Sequence, residues 1–144
     1  MTTLDVRPKR IRRYLLPVSA LVMVVAVIAG LRLPDSPTGV HFTITDQIAI
    51  IGLGLLVAAG IMLPLRPRVR ADARHVQVRG LVGTKDVPWS AVRAVSFPDG
   101  AYWARLELDA DEYVALMAIQ STDGERAVAA IRDLRALHRE AKSD

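Results

Sequence analysis

The chain has no cysteine. That excludes a disulfide framework, a thiolate metal site, an iron–sulfur cluster and a cysteine nucleophile. Histidine is scarce too: His41, His75 and His138 are scattered along the sequence with no partner at metal spacing, so none is expected to be a ligand. Ser90, Ser96 and Ser121 have no adjacent base, and no glycine-rich stretch could cradle a phosphate. The carboxylates Asp109, Asp111 and Glu112 form a turn without the glycine and length of a calcium loop. No cofactor, no metal and no enzymatic activity are expected from this inventory. What remains is a chain of 144 residues, 51% hydrophobic and 24% charged. It is too short for a multidomain enzyme and too apolar to be disordered.

Two long stretches lack charge entirely. Tyr14 to Leu31 spans 18 uncharged residues and Gln47 to Leu65 spans 19, each with ten Leu, Ile or Val. At about 1.5 Å per residue each covers roughly 27 to 29 Å, close to a hydrocarbon core of about 30 Å. A single charge at central depth would cost about 2.5 to 3.5 kcal/mol, so its absence is the decisive feature. Two such helices could not be hidden inside a soluble protein of this length. Val27-Ile28-Ala29 could be read as a signal-peptidase site, but the apolar stretch exceeds a signal's h-region, and the first segment is expected to be retained.

Basic residues set the expected orientation. Arg7, Lys9, Arg10, Arg12 and Arg13 precede the first span, and Arg66, Arg68, Arg70, Arg74 and Arg79 follow the second. The connection from Arg32 to Asp46 has one basic residue and is rich in turn formers: Pro34, Ser36, Pro37, Thr38 and Gly39. The positive-inside rule puts that loop outside and both termini in the cytoplasm, in a multi-pass plasma membrane protein. The expected organisation is a basic cytosolic arm (1–13), a first transmembrane helix (14–31), an extracytoplasmic loop (32–46), a second transmembrane helix (47–65) and a cytosolic domain (66–144). Ala26 and Gly30 in the first span, and Gly54 and Ala58 in the second, form small-residue pairs that suit close helix packing in a hairpin or against a partner.

Beyond Arg66 the pattern changes to short alternating runs. His75 to Arg79 and a run around Val87 read as a hairpin, Ala91 to Phe97 as the next strand, and Pro98-Asp99-Gly100 as a turn. Ala104, Leu106 and Leu108 face one way and Trp103, Arg105 and Glu107 the other. After the turn at Asp109-Ala110-Asp111, Tyr113 to Ile119 is a last strand, apolar on both faces. Thr122-Asp123-Gly124-Glu125 has the form of a capping box, so a helix is expected to start there, with Ala127, Val128, Ile131, Leu134 and Leu137 or His138 as its apolar stripe. About five antiparallel strands and one C-terminal helix make an α+β domain.

The segments "VRADARHVQVRGLVGTKDVPWSAVRAVSF" and "YWARLELDADEYVALMAIQSTDGERAVAAIRDLRAL", from Val69 to Leu137, resemble the small bacterial PH-like domain of actinobacterial membrane proteins grouped with low molecular weight protein antigen 6. The Val87-Pro88-Trp89 step, the "YWARLEL" strand and the entry to the helix carry the likeness. One departure is Arg74-His75, where a glycine turn is expected. The resemblance implies a bent antiparallel sheet capped by a C-terminal helix, and hence an overall fold of a two-helix transmembrane hairpin plus an α+β PH-like domain. The 16 Arg against 3 Lys are compatible with a GC-rich genome.

Residues 81–144 carry a net charge of −3, so nucleic acid is not an expected partner. The expected function is a non-enzymatic, membrane-anchored adaptor or accessory subunit of a larger membrane complex. Its PH-like domain would bind a protein partner, with Trp103, Tyr102 and Arg105 as candidate contacts. The alternative is a sensor of anionic lipid in the bilayer, with Arg12, Arg13, Arg66, Arg68, Arg70, Arg79 and Lys85 as candidate headgroup ligands. Homo-oligomerisation through a free sheet edge is a third reading.

Overall fold

A computed structural model describes residues 3–35, 37 and 39–143, so Ser36 and Thr38 of the expected loop lie outside the described residues. The chain forms two compact units, residues 12–63 and residues 1–11 with 64–144.

The first unit is helical. Helix α1 runs Arg10–Arg32 and α2 runs Ile44–Met62, and both are long and apolar enough to cross a membrane. Leu21, Val25, Ile28, Leu53 and Leu56 stand exposed on them, an apolar surface that water would penalise. Pro17 lies inside α1. Asp46, expected in the connection, instead sits in the first turn of α2, where its carboxylate accepts the backbone N–H of Thr43 at 2.7 Å.

The second unit holds two antiparallel sheets and one helix. One sheet has the order β1-β2-β3-β4, with β1 Leu4–Val6, β2 Arg68–Ala71, β3 His75–Arg79 and β4 Thr84–Pro88. The other has the order β5-β6-β7, with β5 Val92–Ser96, β6 Trp103–Leu108 and β7 Tyr113–Gln120. Helix α3, Glu125–Ser143, lays Ala127, Ala130, Ile131, Leu134 and Leu137 into the core beside Val69, Val76, Leu106, Leu116 and Ile119. Alternation dictates these faces: β3 buries Val76 and Val78 and exposes His75, Gln77 and Arg79.

The sequence pattern leads one to expect about five strands, but the described residues form seven. The extra pair is β1 with β2, in register Leu4↔Ala71, Asp5↔Arg70 and Val6↔Val69. Hence the basic arm is not only a flank: it supplies the first strand of a sheet whose second strand lies beyond both helices in the chain. Three residues are too few to show a period of two, which is why the arm does not read as a strand.

Two local expectations are revised. Helix α3 begins at Glu125 and not at the expected capping box: the Gly124 carbonyl, at φ 56°, accepts Ala127 and Val128, while the Thr122 hydroxyl bonds the Gln120 side chain. Asp123 is buried and accepts the backbone N–H of Arg10 at 3.2 Å. At Arg74-His75 no glycine is needed, because the Asp72 carboxylate accepts both backbone N–H groups at 2.8 Å and shapes the turn itself. Those two bonds, that from His75 foremost, hold the Asp72 carboxyl below the usual carboxylate range.

Candidate functional site

The β2 and β3 strands put arginines on one outer face. Arg68 and Arg70 alternate along β2, Arg79 ends β3, and Arg66 precedes β2; together with Gln77 and the Gly80–Thr84 turn they line a polar cleft of about 440 Å³. Arg68 is clasped by Asp5 across the β1–β2 pair, which holds the Asp5 carboxyl below its usual range and raises Arg68. Arg66, Arg70 and Arg79 have no ion-pair partner among the described residues. The cleft therefore keeps a surplus of positive charge toward anything entering it.

The tip of the β3–β4 turn is apolar: Val82 is 99% exposed, beside the exposed Leu81. The turn is tight, with the Gly80 N–H donating to the Gly83 carbonyl at 2.7 Å. An aliphatic residue held out in water beside a basic cleft gains nothing by packing inside the protein.

A second surface is apolar and aromatic. Tyr102, 75% exposed, and Trp103, 40% exposed, have ring centroids 6.2 Å apart. They line a pocket of about 390 Å³ with Ile11, Pro64, Pro67 and Leu81. The pairing register jumps between Trp103 and Ala104, so Trp103 opposes Gln120 while Ala104 opposes Leu116. Leu81 lines both the basic cleft and the aromatic pocket, which makes them adjoining surfaces.

The candidate residues read from the sequence are divided by the fold. Arg66, Arg68, Arg70 and Arg79 come together, whereas Lys85 lies on β4 outside the cleft lining and Arg12 and Arg13 belong to the helical unit. Tyr102 and Trp103 come together without Arg105. The Arg105 guanidinium lies over the Tyr113 ring at 5.4 Å and beside Glu107 at 3.7 Å. In the helical unit a Cβ at Gly54 would overlap that of Ala26, and one at Gly30 would meet Ile51 at 2.8 Å. Ser19 donates to the Ala58 carbonyl at 3.2 Å.

Ile11, Pro64, Pro67, Leu81 and Val82 are site residues that sequence reasoning missed. Apolar residues at a turn tip or beside a span look like ordinary spacers. Only Leu81 and Val82, bracketed by Gly80 and Gly83 within a basic segment, had a local signal.

The residues from 66 to 137 match the family described as bacterial PH domain. The chain is 45% identical over 117 residues to an uncharacterized protein of Mycobacterium tuberculosis and equally to one of Mycobacterium bovis, covering 81% of this chain and 76% of each relative. No solved structure matches the chain at a significant level.

Proposed function

The chain belongs to the bacterial PH domain family, and from that premise we propose that it is a membrane-anchored, non-enzymatic adaptor or accessory subunit whose PH-like domain binds a protein partner in a membrane assembly. The observation that carries this reading is the Tyr102 and Trp103 pair, standing exposed over an apolar pocket walled by Ile11 and Pro64. Large aromatics over a pocket are the usual anchors of protein interfaces. Ile11 and Pro64 are also the residues at which the chain passes to and from the helical hairpin, so the favoured partner is the juxtamembrane part of another membrane protein. Anchoring both in one bilayer raises their effective concentration, and a modest interface then suffices. A photo-cross-linking amino acid at Trp103 in native membranes should yield a discrete adduct, and one at the exposed Glu112 should not. Only free monomer at both positions would refute the reading.

The basic cleft favours a second reading, in which the domain senses anionic lipid. Arg66, Arg70 and Arg79 would hold headgroups while Val82 enters the interface. Because the chain is free of cysteine, Val82→Cys can carry a polarity-sensitive dye in the full chain reconstituted in nanodiscs. Blue-shifted emission in anionic but not in neutral bilayers, abolished by high salt, is the expected result. Identical emission in both would eliminate this reading.

A further inference from the structure

A groove of about 890 Å³ runs between β5 and α3. It shares only Ser121 with the aromatic pocket and no residue with the basic cleft. Its floor is apolar, with Val95, Phe97, Ala127 and Ile131, and Val128 stands 56% exposed at the rim. Its walls carry Arg93 from β5 and Arg132, Arg135 and Arg139 from α3, with no carboxylate in the lining. None of the four arginines has an ion-pair partner among the described residues. The net charge of −3 over residues 81–144 conceals this: spacings of three and four bring Arg132, Arg135 and Arg139 onto one face of α3, and Glu125, one heptad before Arg132, is not in the groove lining.

Strand β5 is the outermost of its sheet, paired only with β6. Along β5, side chains hold two carbonyls where a strand would otherwise bond. Arg135 Nε donates to the Val95 carbonyl at 3.0 Å, and His138 Nε2 donates to the Val92 carbonyl at 2.8 Å. An apolar floor and four guanidiniums without an ion-pair partner in one groove call for a ligand that carries apolar side chains and carboxylates together.

We propose that the β5–α3 groove receives an acidic segment of a protein partner, with apolar side chains on the floor and carboxylates toward the arginines. This rests on the reading of the domain as a protein-binding module and names the chemistry of what it binds. A lipid headgroup would use the charge but not the apolar floor. A nucleic acid would find one aromatic, Phe97, for stacking.

The test uses the full chain in neutral nanodiscs and a short fluorescent peptide of alternating glutamate and valine. Saturable binding is expected, with no binding of the lysine–valine peptide. Arg132→Glu with Arg139→Glu, both at exposed positions, should weaken binding by at least about tenfold, and unchanged tryptophan emission will show that the domain remains folded. Should that variant misfold, Arg132→Gln with Arg139→Gln serves the same purpose. Equal binding to parent and variant overturns the proposal, as does arginine-dependent binding of phosphatidylglycerol vesicles or single-stranded RNA in place of the peptide. Absence of peptide binding to the parent chain alongside a persistent Trp103 adduct would remove the groove proposal and leave the adaptor reading standing; the converse result would do the reverse.

Discussion

Asp5 and Arg68 lie 63 positions apart in the chain and form a two-pronged ion pair, Nε to Oδ1 at 2.6 Å with the second prong from Nη2 to Oδ2. Both long helices separate them in sequence, so this contact and the β1–β2 ladder join residues that precede α1 to residues that follow α2.

The same pair makes stability pH-dependent. The hydrogen bond from Arg68 lowers the Asp5 pKa most, burial opposes it, and the charges of Arg68, Arg7 and Arg70 add to the lowering. A depressed folded-state pKa contributes stability that is fully present above the unfolded value of about 3.9 and is lost as the pH falls through the folded one. Asp5→Asn should therefore lower the denaturation midpoint of the domain at neutral pH, and the difference from the parent should shrink progressively as the pH falls below about 4. Both tryptophans, Trp89 and Trp103, lie in the domain, so their emission follows its unfolding alone. A constant difference across the acid range would show that Asp5 acts by some other route.

Trp89 is 1% exposed, donates from Nε1 to the Asp72 carbonyl at 2.7 Å and lies 5.6 Å from the His138 ring. Trp89→Ala should destabilise the domain by about 3 to 5 kcal/mol through the cavity it leaves. Trp89→Phe should cost less, with about 1 kcal/mol of it due to the lost hydrogen bond. Urea unfolding of the two variants, followed by circular dichroism, measures both.

Gly54 and Ala26 offer a reciprocal test in the helical unit. Gly54→Ala puts two methyl groups in one place and should cost roughly 1 to 3 kcal/mol of hairpin packing, whereas adding Ala26→Gly should restore it. Disulfide formation between Ser19→Cys and Ala58→Cys, whose parent residues are hydrogen-bonded, reports the approach of the helices. Equal yields in all three backgrounds would deny the contact.

The proposed topology is checked by single cysteines at Thr3, Val40 and Ser143. A membrane-impermeant maleimide applied to intact cells should label the Val40 position and neither of the others. Labelling at either end would invert or abolish the membrane arrangement.

Much of this architecture was legible from neighbours in the chain. Absence of charge marks both long helices, and alternation marks β3 and β6. Pro98-Asp99-Gly100 marks a turn whose Gly100 has φ 76° and whose Ala101 N–H bonds Pro98 at 3.0 Å. These are local properties, because a period of two or of 3.6 is written in adjacent residues. Strand β1, the cleft around Arg66, Arg70 and Arg79, the separation of Arg105 from Tyr102 and Trp103, and the arginine walls of the β5–α3 groove were not legible. Each depends on which strand pairs with which and on how α3 lies against the sheet. Charge summed along a sequence carries no information about the face on which it gathers. That distribution is decided only when burial of the apolar residues fixes the orientation of each strand and helix.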